Sequence, residues 1–176
     1  MPAMVRDVTK DEYWMQEALN EAQRAETRGE VPVGAIAVYQ ERVIGRGHNL
    51  RETQQDPTLH AEIIALKEAA AHLQSWRLEE VTLYVTLEPC IMCAGALVQS
   101  RIARVVYGCH DPKAGALESL YAMGSDPRLN HRFAHTAGVC EHACAQQLSA
   151  FFQAIRQRKR DERRLTTSAR NRTNKT

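Results

Sequence analysis

Apolar residues along this chain switch between two spacings, and the switches outline its elements. Met15, Ala18, Leu19, Ala22 and Ala25 recur three and four apart, the spacing of one helical face. Thr9-Lys10-Asp11-Glu12 stands ahead of them as a capping box, with Thr9 at the cap and Glu12 three residues on. A helix is predicted to about Arg28, ended by Gly29. Val33 to Tyr39 and Arg42 to His48 read as strands around a tight turn at Gln40-Glu41, a hairpin. Asp56-Pro57-Thr58 signals a helix start, and the helix runs from about His60 to Leu73. Val81 to Thr86, apolar and β-branched, predicts a buried strand. Pro89 suits the first position of a further helix to about Gln99. Arg104 to Gly108 reads as another strand. Residues 109–136 scatter Gly, Pro, Asn and Asp and read mostly as loop, with a short helix near Leu117–Tyr121. Thr136 to Cys140 reads as an edge strand, and Leu148, Phe151, Phe152 and Ile155 as the stripe of a last helix.

Strands and helices alternate through the middle of the chain. That order predicts an α/β three-layer sandwich, a mixed central sheet of about five strands with helices on both faces. Both helices that follow strands, from His60 and from Pro89, should start at one edge of the sheet. In α/β proteins that edge, beyond the carboxyl ends of the strands, is where ligands bind. Residues 1–164 read as one domain, and 165–176 as a basic tail whose polar composition predicts disorder.

Composition adds exclusions. The 176 residues suffice for one domain with a real core, and 44% hydrophobic with 25% charged is ordinary for a globular protein. No apolar run approaches the roughly 18 residues of a membrane span. Residues Met1 to Asp7 lack the apolar stretch of a signal peptide, so the cytoplasm is the expected compartment. Thiols stay reduced there. Five cysteines, an odd count, then favour a metal over a disulfide framework. The net charge of +2 is unevenly spread: residues 156–176 hold nine Lys+Arg against two Asp+Glu, and the first 155 hold 14 against 19. A mildly acidic body with a basic arm suits a polyanionic partner, although a solubilising tail explains the arm equally well.

Two clusters carry the chemistry. His60-Ala61-Glu62 and Pro89-Cys90-Ile91-Met92-Cys93 supply three zinc ligands, His60, Cys90 and Cys93, and one carboxylate that need not be a ligand, Glu62. Three protein ligands leave a tetrahedral zinc one open corner for a water, and a nearby carboxylate can move that water's proton. Cys90 and Cys93, three apart at a helix start, share one face, and the positive helix end favours their thiolates. Two alternatives stay open on the residues alone. The Cys-x-x-Cys pair after a strand is also a thioredoxin-like redox layout. A structural zinc would need a fourth ligand, and Cys109, Cys140, Cys144, His110 and His142 are available.

The combined motif resembles the H-x-E…P-C-x-x-C signature of the cytidine-deaminase-like superfamily. Several flanking stretches are similar to one branch, the bacterial tRNA-specific adenosine deaminases that form inosine at the wobble position. They include Glu30-Val31-Pro32-Val33-Gly34-Ala35, Asp56 to Ile63, Leu83 to Cys90, Met92 to Ala96, Leu129-Asn130-His131-Arg132 and Phe151-Phe152. The resemblance covers about Asp11 to Arg164. It implies one zinc ion (Zn2+) per chain on His60, Cys90 and Cys93, with Glu62 as the catalytic proton carrier. Asn49 would hydrogen-bond the flipped nucleoside, Val31 and Pro32 would wall the base pocket, and Asp111 would lie against the anticodon loop. The implied partners are a tRNA anticodon loop and a second copy of the chain in a homodimer, with no membrane. Cys109-His110 and Glu118 depart from the family pattern on the expected RNA-facing loop. Cys140 and Cys144 read as packing residues.

Overall fold

The computed structural model describes residues 9–173, with side chains to Thr166. The segment read above for a leader, and the last three residues of the expected tail, lie outside the described residues. Helix α1 (Lys10–Thr27) opens on the capping box: Glu12 N donates to Thr9 Oγ1 at 3.2 Å, and Thr9 N to the Glu12 carboxylate at 2.8 Å. Strands β1 (Gly34–Tyr39) and β2 (Arg42–His48) form the hairpin. Gln40 and Glu41 both take positive φ, 46° and 61°. That left-handed pair matches the twist of the two strands it joins.

The remaining elements are α2 (Arg51–Gln54), α3 (Ala61–Leu73), β3 (Thr82–Leu87), α4 (Ile91–Gln99), β4 (Arg104–Cys109), β5 (Ala134–Thr136) and α5 (Glu141–Thr173). The sheet order is β2-β1-β3-β4-β5. Strand β1 is antiparallel to β2 and β3, while β3–β4 and β4–β5 are parallel. Alternation along each strand divides the core. Ala35, Ala37, Leu83, Val85, Val105 and Tyr107 face the cluster built with α3 and α4. Ile36, Val38, Tyr84 and Val106 face Met15, Ala18 and Leu19 of α1 and Cys144 of α5. This is the expected sandwich, with helices on both faces of a five-stranded mixed sheet.

Close approach sets where α3 sits. A Cβ on Gly45 or Gly47 of β2 would collide with the backbone of α3 at Ala65 and Ala61 respectively. Both glycines let the helix lie directly on the strand, and Ala61 is the first residue of that helix.

Several local details differ from expectation. Helix α2 is too short to show a periodicity and was not expected. Pro89 does not open α4; Cys90 is the N-cap, and Pro89 O instead accepts from Ala116 N at 2.8 Å. No helix forms at 117–121, because the N–H groups of Leu117, Glu118 and Ser119 all donate to the Glu88 carboxylate. A short 3-10 turn follows at Met123–Ser125. The edge strand lies at Ala134–Thr136, parallel to β4, rather than at 136–140. Positive φ at Gly138 (80°) and Cys140 (54°) turns the chain off the sheet there. The last helix continues to Thr173, past the boundary expected at Arg164.

Asp11, in the first turn of α1, ties that helix to the sheet. Its carboxylate accepts from the Arg104 guanidinium at 3.0 and 2.7 Å and from the Tyr84 hydroxyl at 2.9 Å. Arg104, against the opposing effect of burial and with help from Tyr84, holds the Asp11 carboxyl below its usual value of 3.8. A lowered carboxyl stabilises the fold above its unfolded value, and that contribution is lost as pH falls through the folded value. Asp11→Asn is expected to cost roughly 1–2 kcal/mol at neutral pH and to shrink the loss of stability below about pH 4. Urea unfolding of both proteins across a pH series measures this; parallel curves would contradict it.

Candidate active site

Strand direction brings the two motifs together. Because β1 runs antiparallel to both β2 and β3, those two strands point the same way and end at one edge of the sheet. Helix α3 follows β2 after a short connection, and α4 follows β3. His60 is the N-cap of α3 and Cys90 the N-cap of α4, and neither side chain turns back to cap its own helix. Both point instead into the space between the helix starts. Nδ1 of His60 lies 3.6 Å from Sγ of Cys90 and 3.6 Å from Sγ of Cys93. All three donor atoms fall within 4.8 Å of one another, and among the described residues no other group of His, Cys, Asp and Glu converges like this.

The donor set fits zinc. Bonds of about 2.0–2.1 Å to nitrogen and 2.3 Å to sulfur at a tetrahedral angle separate N from S by about 3.6 Å, the spacing seen here. The cluster holds three protein donors, as a catalytic site requires. The candidates for a fourth ligand sit elsewhere: Cys109 and Cys144 are buried on the α1 and α5 side of the sheet, with Cys140 packed against them. That placement also bears out the reading of Cys140 and Cys144 as packing residues.

The cluster is electrostatically primed. The Cys93 thiol beside it, with His60 adding, pulls Cys90 down to about 3, against burial. Both sulfurs also sit at the positive end of α4. Cys90 in turn raises His60 above its usual value, against burial. Glu62 is 4% exposed, in the first turn of α3, within hydrogen-bond reach of Cys93. Burial pushes its carboxyl up to about 7.

A cavity of about 220 Å³ opens over this cluster, with His60, Glu62 and Cys90 among its lining residues. Val31, Val33, Leu87 and Ala114 supply apolar wall, and Asn49, Arg51 and Asp111 supply polar atoms. Of the wall expected at Val31 and Pro32, Val31 lines the cavity; Pro32 is buried and does not, and Val33 takes its place. Asn49 is 7% exposed, and its side chain is held from two sides. Its amide donates to Glu30 at 3.4 Å, and its carbonyl accepts from Arg51 N at 3.3 Å. Glu30, fully buried, also accepts from Thr53 N at 2.6 Å and Glu52 N at 3.2 Å, which fixes α2 beneath the cavity rim. The departures on the far loop pair with each other. Glu118 accepts from His110 Nε2 at 3.1 Å and from His135 Nε2 at 2.8 Å. His110 holds Glu118 below the usual carboxylate value, and Glu118 holds His110 above the usual imidazole value.

Glu30, Arg51 and Glu88 were not singled out from sequence. Glu88 is 2% exposed and lines the cavity. Burial alone would raise its carboxyl, but Ser119, Glu118 and Asp111 donate to it and hold it at about 2. A buried Glu ahead of Pro-Cys was the available signal; its partners lie 23–31 residues away in sequence and carry no motif.

Comparison with known proteins agrees with this geometry. Residues 8–109 match the family profile of the cytidine and deoxycytidylate deaminase zinc-binding region. A tRNA-specific adenosine deaminase of Bacillus subtilis (strain 168) is 48% identical over 157 residues, 89% of this chain and 98% of that one. Another, from Haemophilus influenzae, is 50% identical over 159 residues, 90% of this chain and 92% of its own. Among solved structures, one from studies of A-to-I editing by tRNA:A34 deaminases at the wobble position superposes with a TM-score of 0.74 at 43% identity. It covers 77% of this chain and 99% of that chain. Shared length, shared sequence and a convergent His, Cys, Cys site at two helix starts lead to one assignment: the chain belongs to the tRNA-specific adenosine deaminases, within the zinc-binding cytidine and deoxycytidylate deaminase family.

Proposed function

We propose that this chain converts adenosine to inosine at the wobble position of a tRNA anticodon, by zinc-dependent hydrolysis. One observation carries the reading: three zinc donors converge within 4.8 Å of one another, and two of them, His60 and Cys90, line one cavity together with the buried carboxylate of Glu62. His60, Cys90 and Cys93 hold the zinc. Bound zinc supplies Lewis acidity, lowering the pKa of water from 15.7 to roughly 7.

The other steps belong to the chain's own residues. Glu62 takes a proton from the attacking water as its oxygen adds to C6 of the adenine ring. The buried carboxylate, beside the zinc ligands, is placed to accept that proton and give it up again. Glu62 delivers that proton to the ring nitrogen N1, then takes the remaining proton from the oxygen now on C6 and passes it to the departing amino group. The C6–N bond breaks, so one water enters and one ammonia leaves. Asn49, held by Glu30 and the Arg51 amide, presents its remaining donor capacity to the nucleoside. Val31 and Leu87 give the base an apolar wall, and Asp111 offers a carboxylate to a ribose 2′-hydroxyl, the group that marks RNA. An anticodon loop suits the site, since an unstacked base costs less to extrude.

Residues 156–166 of α5 carry Arg156, Arg158, Lys159, Arg160, Arg163 and Arg164 on exposed helix. This arm contacts phosphates flanking the anticodon loop. We further propose that the enzyme works as a homodimer in the cytoplasm, in keeping with the family it belongs to.

A stem-loop RNA with adenosine first in its anticodon is expected to gain inosine, read by mass spectrometry of its nucleosides. Glu62→Gln should cut that yield by at least about 100-fold while the protein keeps its zinc. Turnover of free nucleosides alone would overturn the tRNA assignment. Replacing Arg156, Arg158, Lys159 and Arg160 with Gln should weaken stem-loop binding and flatten its salt dependence. The log–log slope should fall by about 0.7–0.9 for each phosphate that is no longer neutralised. An unchanged slope would remove the arm from the interface.

A further inference from the structure

We propose that Glu88 is a positioning residue for the RNA substrate: its buried carboxylate fastens the 111–119 loop to the metal-bearing turn, and so fixes Asp111 relative to Cys90. The inference rests on the reading above, in which Asp111 faces the RNA.

The loop has no regular secondary structure to hold it. One buried side chain anchors both its ends. One oxygen of Glu88 accepts from Leu117 N at 3.1 Å, Glu118 N at 2.8 Å and Ser119 N at 2.9 Å. The other accepts from Asp111 N at 3.0 Å and from the Ser119 hydroxyl. Five donors from both ends of one loop thus converge on a single carboxylate that is 2% exposed. Gly115 packs against that carboxylate so closely that a Cβ there would overlap it.

The same loop grips the zinc-ligand turn through its backbone. Gly115 bridges Cys90, and Ala116 N donates to Pro89 O at 2.8 Å. Asp111 and Ala114 of the loop line the cavity, together with His60 and Glu62 from the start of α3. Asp111 is itself held, with Oδ1 accepting from Lys113 N at 3.0 Å and Ala114 N at 3.2 Å. Glu88 therefore joins two functions that the chain carries on separate segments. Cys90 places the chemistry, Asp111 places the RNA, and the Glu88 carboxylate sets the span between them. Asp111 would touch the ribose and not the reacting carbon, so a displaced loop weakens binding of ground and transition state alike and shows in KM.

The shape of the site says which substitutions test this. Gln at 88 keeps the volume but replaces one acceptor oxygen with a donor amide, which must face N–H or O–H donors whichever way it turns. Ala at 115 leaves the carboxylate and all five donors in place and drives them apart sterically. Ser119→Ala removes one donor and is the mild variant. The readout is inosine formation in the stem-loop RNA by the zinc-loaded enzyme, with KM and kcat separated and zinc per chain measured.

Glu88→Gln is expected to raise KM on the order of tenfold with kcat changed less than about threefold and zinc content unchanged. Gly115→Ala should reproduce this, and Ser119→Ala should raise KM by a smaller factor. Asp111→Ala should raise KM too, and adding Glu88→Gln to it should cost little more, because the group that the anchor holds is gone. A merely structural role predicts the opposite: a lower melting temperature or lost zinc with KM unchanged, or effects of Glu88→Gln and Asp111→Ala that multiply. Either result would overturn the inference while leaving the functional reading intact. Wild-type enzyme that leaves the stem-loop unmodified would overturn that reading, and the inference with it.

Discussion

Two strands that run the same way on either side of an antiparallel neighbour are the constraint from which the active site follows. Strand β1 pairs antiparallel with β2 and with β3, so both flanking strands end at one edge. The helices after them must begin there. Each helix start offers unpaired N–H groups and the positive end of a dipole, which favour thiolates and anions. The chain places a histidine at one start and two cysteines at the other. Gly45 and Gly47 let α3 settle directly on β2, so its first turn reaches the cysteines on α4. The result is a nitrogen 3.6 Å from each of two sulfurs, the spacing that a tetrahedral zinc would set.

Four buried glutamates show how surroundings assign different tasks to one side chain. Glu21 is wrapped by Arg24, Arg46 and His48 and joins α1 to β2. Glu30 gathers Asn49 and the first N–H groups of α2. Glu88 gathers the 111–119 loop and is held at about 2 by its donors. Glu62 is buried as deeply, but it faces two sulfurs and a cavity instead of a ring of donors, and burial raises it to about 7. Donors around a buried carboxylate favour its charge, and burial without them disfavours it. Three of these groups build the frame, and the fourth is poised to exchange a proton.

How much was legible in the sequence depended on the range of the interaction. Contacts between near neighbours leave a pattern, so the Thr9–Glu12 capping box, the Gln40-Glu41 turn and the apolar runs of β1, β3 and β4 read directly. The zinc motif was legible for the same reason. Each half is local, and alternation of strand and helix was enough to bring the halves to one edge. Residues whose meaning lies in through-space partners left no such mark. Glu30 reaches residues 19–23 positions on, and Glu88 reaches 23–31 positions on. The misread segment at 117–121 has the same cause. Its N–H groups belong to Glu88 rather than to a helix, and no periodicity reports that.

The chemistry proposed for this chain requires a three-ligand zinc whose fourth position is free for water. A crystal structure of the zinc-loaded protein, with anomalous data at the zinc edge, decides whether that is so. One zinc per chain is expected on Nδ1 of His60, Sγ of Cys90 and Sγ of Cys93, with a water in the fourth position and the Glu62 carboxylate beside it. A fourth protein side chain on the metal, or Glu62 turned away from that water, would refute the mechanism.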